Sequence, residues 1–422
     1  MSESVLQAYR AHISSNYADF LERMDLACTV EEARGTVIRD SRGRSFIDFI
    51  AGYGVFNFGH NPSGVVRALC AELEAAPLWN RPFLQAPAAR LAERLAALTG
   101  GALDRVLLCS TGAETVDSAI KLARLSTRRT EIVAAQGAFH GFTLGALSLC
   151  GIPVHSRPYE PLLPDVTHVA FGDAQALAAA VSGRTAAVVL EPVQAEIGAE
   201  TPPAGYLAEA RALCDAAGAL LIVDEVRTGM GRTGPLFAIE EDGVMPDVLL
   251  VGKSLGSGIV PIGAMLAHRR IWGRVGLTFT MSASSFSGNR LACIAALATL
   301  DQIDGSDVLE RARESAAVLR AGLEDLRAAH ADLLDRVTGR GLLVGLHFRT
   351  PQISSDVART AIQRGLLVAT AFCNNRCILL EPPLTITAAE IGQALHVLSE
   401  ACDTTRRVNG PIPVSNPGVA TG

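Results

Sequence analysis

Between residues 105 and 251 the chain repeats one arrangement. Short apolar runs of strand length, Arg105–Cys109, Glu131–Ala135, Ala186–Leu190, Ala219–Val223 and Val248–Val251, alternate with helix-like stretches such as Glu114–Leu125 and Tyr206–Ala217. Several runs are Val, Ile or Leu on both faces, the pattern of strands covered on both sides. Alternation of this kind predicts an α/β domain around a mostly parallel sheet. Two helices are expected before it, at Val65–Ala75 and Ala86–Leu98. After Asn289 the pattern changes. Long helices at Leu291–Gln302 and Val308–Ala328 lead to strand-like Gly341–Phe348, Leu366–Phe372 and Cys377–Leu380, an α+β arrangement that Thr36–Arg39 and Ser45–Asp48 can join. The expected division is a small domain begun by residues 1–62, a large domain over 63–295, the rest of the small domain over 296–403, and a loose tail over 404–422.

Each buried run is followed at once by polar or Gly-rich residues. These are Ser110-Thr111-Gly112-Ala113-Glu114, Gly137-Ala138-Phe139-His140-Gly141, Glu191-Pro192-Val193-Gln194, Asp224-Glu225 and Gly252-Lys253. In open α/β sheets ligands bind outside the carboxyl ends of the strands, so these groups should converge on one crevice. Their types suit pyridoxal 5′-phosphate. Its aldehyde needs an amine for a Schiff base, and Lys253 is one of only two lysines, the other being Lys121. Burial beside apolar strand residues would free the neutral amine. A carboxylate such as Asp224 would keep the pyridine nitrogen protonated. Thr111, Gly112 and Ala113 open a helix and offer N–H groups to a phosphate. Phe139 could cover one ring face. Taken singly, each residue has a plain structural reading: Lys121 as a partly solvated helix residue, Asp224 as a loop cap, His140 as a satisfied core histidine. It is their position at successive strand ends that favours chemistry.

Three short motifs point elsewhere. Gly229-Met230-Gly231-Arg232-Thr233-Gly234 fits a dinucleotide fingerprint, but Pro235 follows and no helix opens, which weakens a nicotinamide-dependent oxidoreductase. Gly252-Lys253-Ser254-Leu255-Gly256 imitates a nucleophile elbow without the helix that the elbow requires. Gly252-Lys253-Ser254 imitates the end of a phosphate loop whose earlier glycine is Asp247 here.

The bulk composition removes other classes. A net charge of −6 with no basic cluster gives nucleic acid nothing to bind. No apolar run reaches membrane-spanning length and no leader is visible, so neither a membrane nor an export role is expected. Nine scattered cysteines read as reduced thiols of the cytoplasm. Cys373 and Cys377 lack a second ligand pair, so no metal site is expected.

The chain resembles the class III, ornithine/ω-aminotransferase-like group of fold-type I pyridoxal-phosphate enzymes, from about Thr36 to Thr387. The matching stretches include Gly43-Arg44-Ser45-Phe46-Ile47-Asp48-Phe49, Phe58-Gly59-His60-Asn61-Pro62, Ser110-Thr111-Gly112-Ala113-Glu114 and Phe139-His140-Gly141. Further on come Glu191-Pro192-Val193-Gln194, Asp224-Glu225-Val226, Thr228–Gly234, Gly252-Lys253, Ser285-Phe286-Ser287-Gly288-Asn289 and Pro382-Pro383-Leu384. The resemblance implies a large domain with a mostly parallel seven-stranded sheet and a smaller α+β domain built from both chain ends. It also implies Lys253 as the Schiff-base lysine and proton carrier, with Asp224 on the ring nitrogen. Val226 and Phe139 would lie against the two ring faces, Thr111, Gly112 and Ala113 would cradle the phosphate, and His140, Glu191 and Arg227 would complete the cofactor site. Ser285 would reach the phosphate of a neighbouring subunit, which implies a homodimer with shared active sites.

The departures concern the substrate, for which Tyr53, Phe142, Glu196 and Arg376 are the candidates. Where the family often has an arginine for a distal carboxylate, this chain has Phe142. Where it usually has an arginine for the α-carboxylate, this chain has Leu379. Each charge-assisted contact to a carboxylate contributes about 1.5–3 kcal/mol. Simple glutamate-type recognition is therefore not expected: either the substrate is a bulky, tethered or primary amine, or Arg376 or Arg227 meets its carboxylate. The expected reaction is transfer of an amino group from an amine or amino acid to an aldehyde or keto acceptor. The rival is another outcome on the same cofactor: racemisation, decarboxylation, or β/γ-replacement with C–C bond formation.

Overall fold

The computed structural model describes residues 2–75, 83–272 and 284–409. Three strands open the chain: β1 (Val30–Arg34), β2 (Val37–Asp40) and β3 (Ser45–Asp48). Seven more make the central sheet: β4 (Arg105–Cys109), β5 (Glu131–Ala135), β6 (Val166–Val169), β7 (Thr185–Leu190), β8 (Leu220–Asp224), β9 (Val248–Val251) and β10 (Gly263–Ala267). Five follow: β11 (Leu334–Arg340), β12 (Leu343–Phe348), β13 (Leu366–Leu367), β14 (Ala369–Ala371) and β15 (Asn374–Leu380).

The central order is β4-β10-β9-β8-β7-β5-β6. All pairs are parallel except those of β10, which runs against β4 and β9. The inner strands, β5, β7, β8, β9 and β10, are buried on both faces because successive side chains feed two separate cores. Val133, Val188, Leu190, Leu221, Val223, Leu249 and Val251 belong to one. Ile132, Ala187, Val189, Leu220, Ile222, Val248 and Leu250 belong to the other. The helix Tyr206–Ala217 covers the first with Leu207, Ala210 and Cys214, and the helix Gly112–Thr127 covers the second with Val116, Ala119, Ile120 and Leu122. Each larger aliphatic side chain buried this way contributes about 1.5–3 kcal/mol. With both faces covered, the strand ends are left for chemistry.

The two chain ends meet. β13 pairs in parallel with β3, Leu366 opposite Ile47, completing the order β1-β2-β3-β13. A second sheet, β11-β12-β15-β14, carries the C-terminal segment. The last helix spans Ala388–Asn409. The tail expected from Thr404 therefore begins as helix for six residues, and residues 410–422 lie outside the described ones. The helix continues because Cys402 and Thr405 are still buried, so its inner face still packs.

Sequence reading missed four strands, each for a physical reason. β11 (Leu-Asp-Arg-Val-Thr-Gly-Arg) is a part-exposed edge strand with charged residues. β1 is mostly exposed and charged (Val-Glu-Glu-Ala-Arg), and β6 is a half-exposed edge. β10 (Gly-Ala-Met-Leu-Ala) carries little β-propensity and owes its strand form to the neighbours on both sides.

Candidate active site

One cleft gathers most of the expected residues: Gly112, Ala113, Phe139, His140, Glu191, Glu196, Asp224, Val226, Arg227 and Lys253, with Gly141 beside them. They come from the ends of β4, β5, β7, β8 and β9, as a doubly covered sheet requires. Thr111 caps the helix Gly112–Thr127: its hydroxyl accepts from the Glu114 N–H at 3.2 Å, and the Glu114 carboxylate accepts from the Ser110 N–H at 2.6 Å. The cap leaves the first amides of the helix turned to its end. Gly112 stands where a methyl group would meet Val226 Cγ1 at 2.8 Å, and a methyl on Gly141 would meet Ala113 Cβ at 2.6 Å. Glycine at these two positions keeps the cleft wall thin.

Asp224 is buried at the end of β8. Its Oδ1 accepts from the Val226 N–H at 2.9 Å, and its Oδ2 lies 2.7 Å from His140 Nδ1. Burial opposes protonation of His140, but the hydrogen bond and charge of Asp224 prevail and hold the imidazole above its ordinary value. Glu191, which accepts from the Phe139 N–H at 3.0 Å, is pushed up to about 7 by burial. Lys253 follows β9 with a φ of +45°, a left-handed conformation that a non-glycine residue adopts only when its surroundings enforce it. Burial, and then the charge of Arg227, bring its amine down to about 8.

A second charged group joins two expected residues, Arg227 and Glu196, to one that was not expected, Glu381. Arg227 is fully enclosed and forks onto Glu381, Nε to Oε1 at 2.9 Å and Nη2 to Oε2 at 2.6 Å, while its Nη1 donates to Glu196. Burial works against the guanidinium charge, but the two carboxylates hold it firmly in place, and Arg227 in turn keeps Glu381 below the usual carboxylate range against burial. Glu381 escaped the sequence reading, although the rule used for the middle domain would have found it: it is an acid directly after a strand, β15. Arg227 lines the cleft as expected, but the alternative in which it meets a substrate carboxylate is corrected, because two carboxylates already hold its guanidinium.

Arg376 is also corrected. Its Nε donates to the Phe348 carbonyl at 3.0 Å, it is exposed, and it does not line the cleft. On β15 a residue three positions before Leu379 faces the opposite side of the sheet. Tyr53 lies with its ring 5.7 Å from the Arg227 guanidinium carbon. Phe142 is largely exposed and packs edge-on against Phe139, with centroids 5.1 Å apart; Phe372 stacks on His155 at 4.8 Å next to it. Ser285 is exposed and stands outside the cleft lining of its own chain. The Gly229–Gly234 motif has a structural use: Arg232 is wholly buried and donates to Asn57 and to the Leu342 and Pro382 carbonyls, tying both chain ends to the large domain.

The chain is similar to known proteins over nearly its whole length. Residues 21–402 match the family model for aminotransferase class-III. A putrescine aminotransferase from Pectobacterium atrosepticum is 39% identical over 99% of this chain and 91% of its own length. The structure of an ornithine aminotransferase from Toxoplasma gondii ME49 matches with a TM-score of 0.89 at 29% identity, covering 97% of this chain and 96% of its own. An amine transaminase from an uncultivated Pseudomonas species, solved in a PLP-bound form, matches with a TM-score of 0.83 at 30% identity over 90% of this chain and 95% of its own. With the family match running across nearly its whole length, this chain belongs to the class-III aminotransferases and is a pyridoxal-phosphate-dependent transferase of amino groups.

Proposed function

We propose that the chain transfers the amino group of a primary amine, rather than of glutamate, to a carbonyl acceptor, using Lys253 and Asp224 on either side of the cofactor. The carrying observation is the saturation of Arg227 by Glu381 and Glu196. With Phe142 and Leu379 in place of the usual arginines and Arg376 turned away, none of these candidate positions offers a free guanidinium to a substrate carboxylate. Desolvating a carboxylate without such a partner is costly. The putrescine aminotransferase resemblance points the same way.

The residues suit pyridoxal phosphate. Gly112 lets the helix end pack directly against Val226 where a side chain would clash, the capped helix end offers amides to a phosphate, and a buried acid and a buried amine line the same cleft. When bound, the cofactor supplies an electron sink for the carbon that carries the amino group. Lys253, brought towards neutrality by burial, acts as the amine that anchors it and then moves a proton at its Nζ. Asp224, fixed by Val226 and His140, is the carboxylate that would keep the ring nitrogen protonated. Val226 and Phe139 confine the ring, Thr111, Gly112 and Ala113 hold the phosphate, and Glu191 orders the turn carrying Phe139. A second copy of the chain brings Ser285 to the phosphate, which makes the working form a homodimer. The reduced state of nine free cysteines supports a cytoplasmic setting, and no helix among the described residues is long and apolar enough to cross a membrane.

The test mixes holoenzyme with a panel of amines and amino acids and follows the visible cofactor band. Primary amines should convert it fastest and release a carbonyl product in step. Rapid conversion by L-glutamate alone overturns the specificity. Turnover without the pyridoxamine form would favour racemisation, decarboxylation or replacement.

A further inference from the structure

A second cavity, of about 300 Å³, lies at the other end of the central sheet. It is bounded by the start of β8, by Asp247 just before β9, and by the last turns of the helices Gly112–Thr127 and Tyr206–Ala217. Asp224 and Lys253 stand at the far ends of the same two strands, roughly 15 Å away at 3.3 Å per residue. The charged side chains lining the cavity are Arg129, Arg211, Arg270, Asp215 and Asp247. Asp247 is buried and fully used. Its Oδ2 accepts from Arg211 Nη1 at 2.7 Å and from the Leu221 N–H at 2.9 Å, and its Oδ1 accepts from Arg270. Asp215 accepts from Arg211 Nη2 at 2.8 Å. Arg129 pairs with no carboxylate among the described residues. Its Nη1 donates to the carbonyls of Thr185, Ala217 and Gly218 at 3.0, 2.8 and 3.1 Å. Three guanidinium groups therefore share two carboxylates.

The two helix ends carry partial negative charge, which weighs against an anion, but Arg129 already bonds the carbonyls of one of them. The unused hydrogen-bonding capacity points the other way. Arg211 Nε is shielded from solvent and has no partner among the described residues. Nε and Nη2 of Arg129, and Nε and Nη1 of Arg270, make no hydrogen bond among them either. The hydroxyls of Ser126 and Thr127 are spent on the Ala123 carbonyl. Every free group at the arginines is a donor, and a buried donor left unmet is costly. We infer that this cavity binds a phosphate group between Arg129, Arg211 and Arg270, as a site separate from the cofactor cleft. Phosphate has oxygens enough for three guanidinium groups, and each planar fork meets it by charge-assisted bonds.

The experiment titrates the holoenzyme, whose phosphate cradle is taken by the cofactor, with inorganic phosphate by calorimetry at constant ionic strength. Phosphate should bind with a Kd of about 1 mM or tighter and leave the visible cofactor band unchanged. Arg129→Gln and Arg270→Ala should each weaken it about tenfold, since each removes one charge-assisted contact. Arg270 is exposed and Asp247 keeps its bond to Arg211, so the second variant retains the local fold. Asp215→Asn removes a carboxylate and no arginine. It should tighten binding about threefold, a gain that a misfolded variant cannot imitate. Glycerol 2-phosphate separates the sources of the group: it should match the free ion if the site receives a phosphate monoester, and bind about tenfold more weakly if it receives the ion alone. No heat up to about 50 mM phosphate, or equal affinity in the wild type and all three variants, overturns the proposal. Loss of the cofactor band in step with the heat overturns it too, because the phosphate is then displacing the cofactor from the cleft.

Discussion

Two charged groups share the cleft and were assembled in different ways. His140, Glu191, Asp224 and Lys253 sit just beyond strands of one sheet, where the topology alone brings them together. Glu196, Arg227 and Glu381 come from three parts of the chain, Arg227 lying 31 residues from one partner and 154 from the other. The first group is positioned by a scaffold that many chemistries can use. The second is positioned by mutual charge, and its composition sets what the cleft accepts. Local order therefore assembles the first group, and long-range pairing assembles the second.

The comparison breaks most easily at Lys253. Replacing it by Ala should slow conversion of the cofactor band by amines about 1,000-fold or more, since both the anchoring amine and the proton carrier disappear. Borohydride fixes the cofactor to the wild-type chain, and peptide mapping has only two lysines to separate. A label on Lys121 instead of Lys253 would remove the strand-end group from the mechanism.

The second group should fail through stability. Glu381→Gln removes the bidentate partner of a buried guanidinium and should cost about 3 kcal/mol, the low end for breaking such a pair because Glu196 still neutralises part of the charge. Glu196→Gln leaves both Glu381 contacts intact and should cost roughly 1 kcal/mol. Thermal melting of the two variants ranks them. The reverse order would mean that Glu196 is the principal counter-ion and would contradict the charge balance drawn here.

The same contrast explains what could be read from sequence. The helices Ala86–Leu98 and Tyr206–Ala217 have the residues expected of them, because an apolar stripe and a glycine terminator are local signals. Asp224 and Lys253 were legible because an acid or an amine directly after a buried strand stands out in a line of letters. Arg227 is legible as a cleft residue from its place just after Asp224, but its ion pairs are not. Its pairing with Glu381 depends on where β15 ends relative to β8, a distance no local pattern encodes. Leu379 is visible in the sequence, whereas the carboxylate oxygen of Glu196 without a partner among the described residues appears only in the fold.

A pH series sharpens the comparison at the scaffold group. With the Lys253 amine at about 8, the neutral form grows tenfold per pH unit below that value and saturates above it. Uptake of pyridoxal phosphate by enzyme stripped of cofactor should therefore accelerate about tenfold from pH 6 to 7 and level off beyond pH 8. The sign follows from charge: a basic group lowered from 10.5 is protonated and unreactive on the acid side. In Arg227→Met, removal of the neighbouring positive charge should move the midpoint upward, since Arg227 is one of the causes of the depression. A midpoint near 10 in the wild-type enzyme would mean the amine is solvated and the burial argument wrong.

The smallest effect is expected at Arg376, and it decides whether the second group is complete. This arginine is the nearest candidate in the sequence to replace the one lost at Leu379. In the fold its Nε is committed to the Phe348 carbonyl, on a strand whose neighbouring residue Cys377 faces the interior instead. Reaching the cleft would require the side chain to cross its own sheet, which the pleat forbids without a shift of register. Arg376→Ala should change kcat/KM by less than about twofold for amines and amino acids alike, within the range of a surface substitution. A selective loss on carboxylate-bearing substrates would show that β15 slips by one residue in the working enzyme, and would bring a second guanidinium into the cleft beside Arg227.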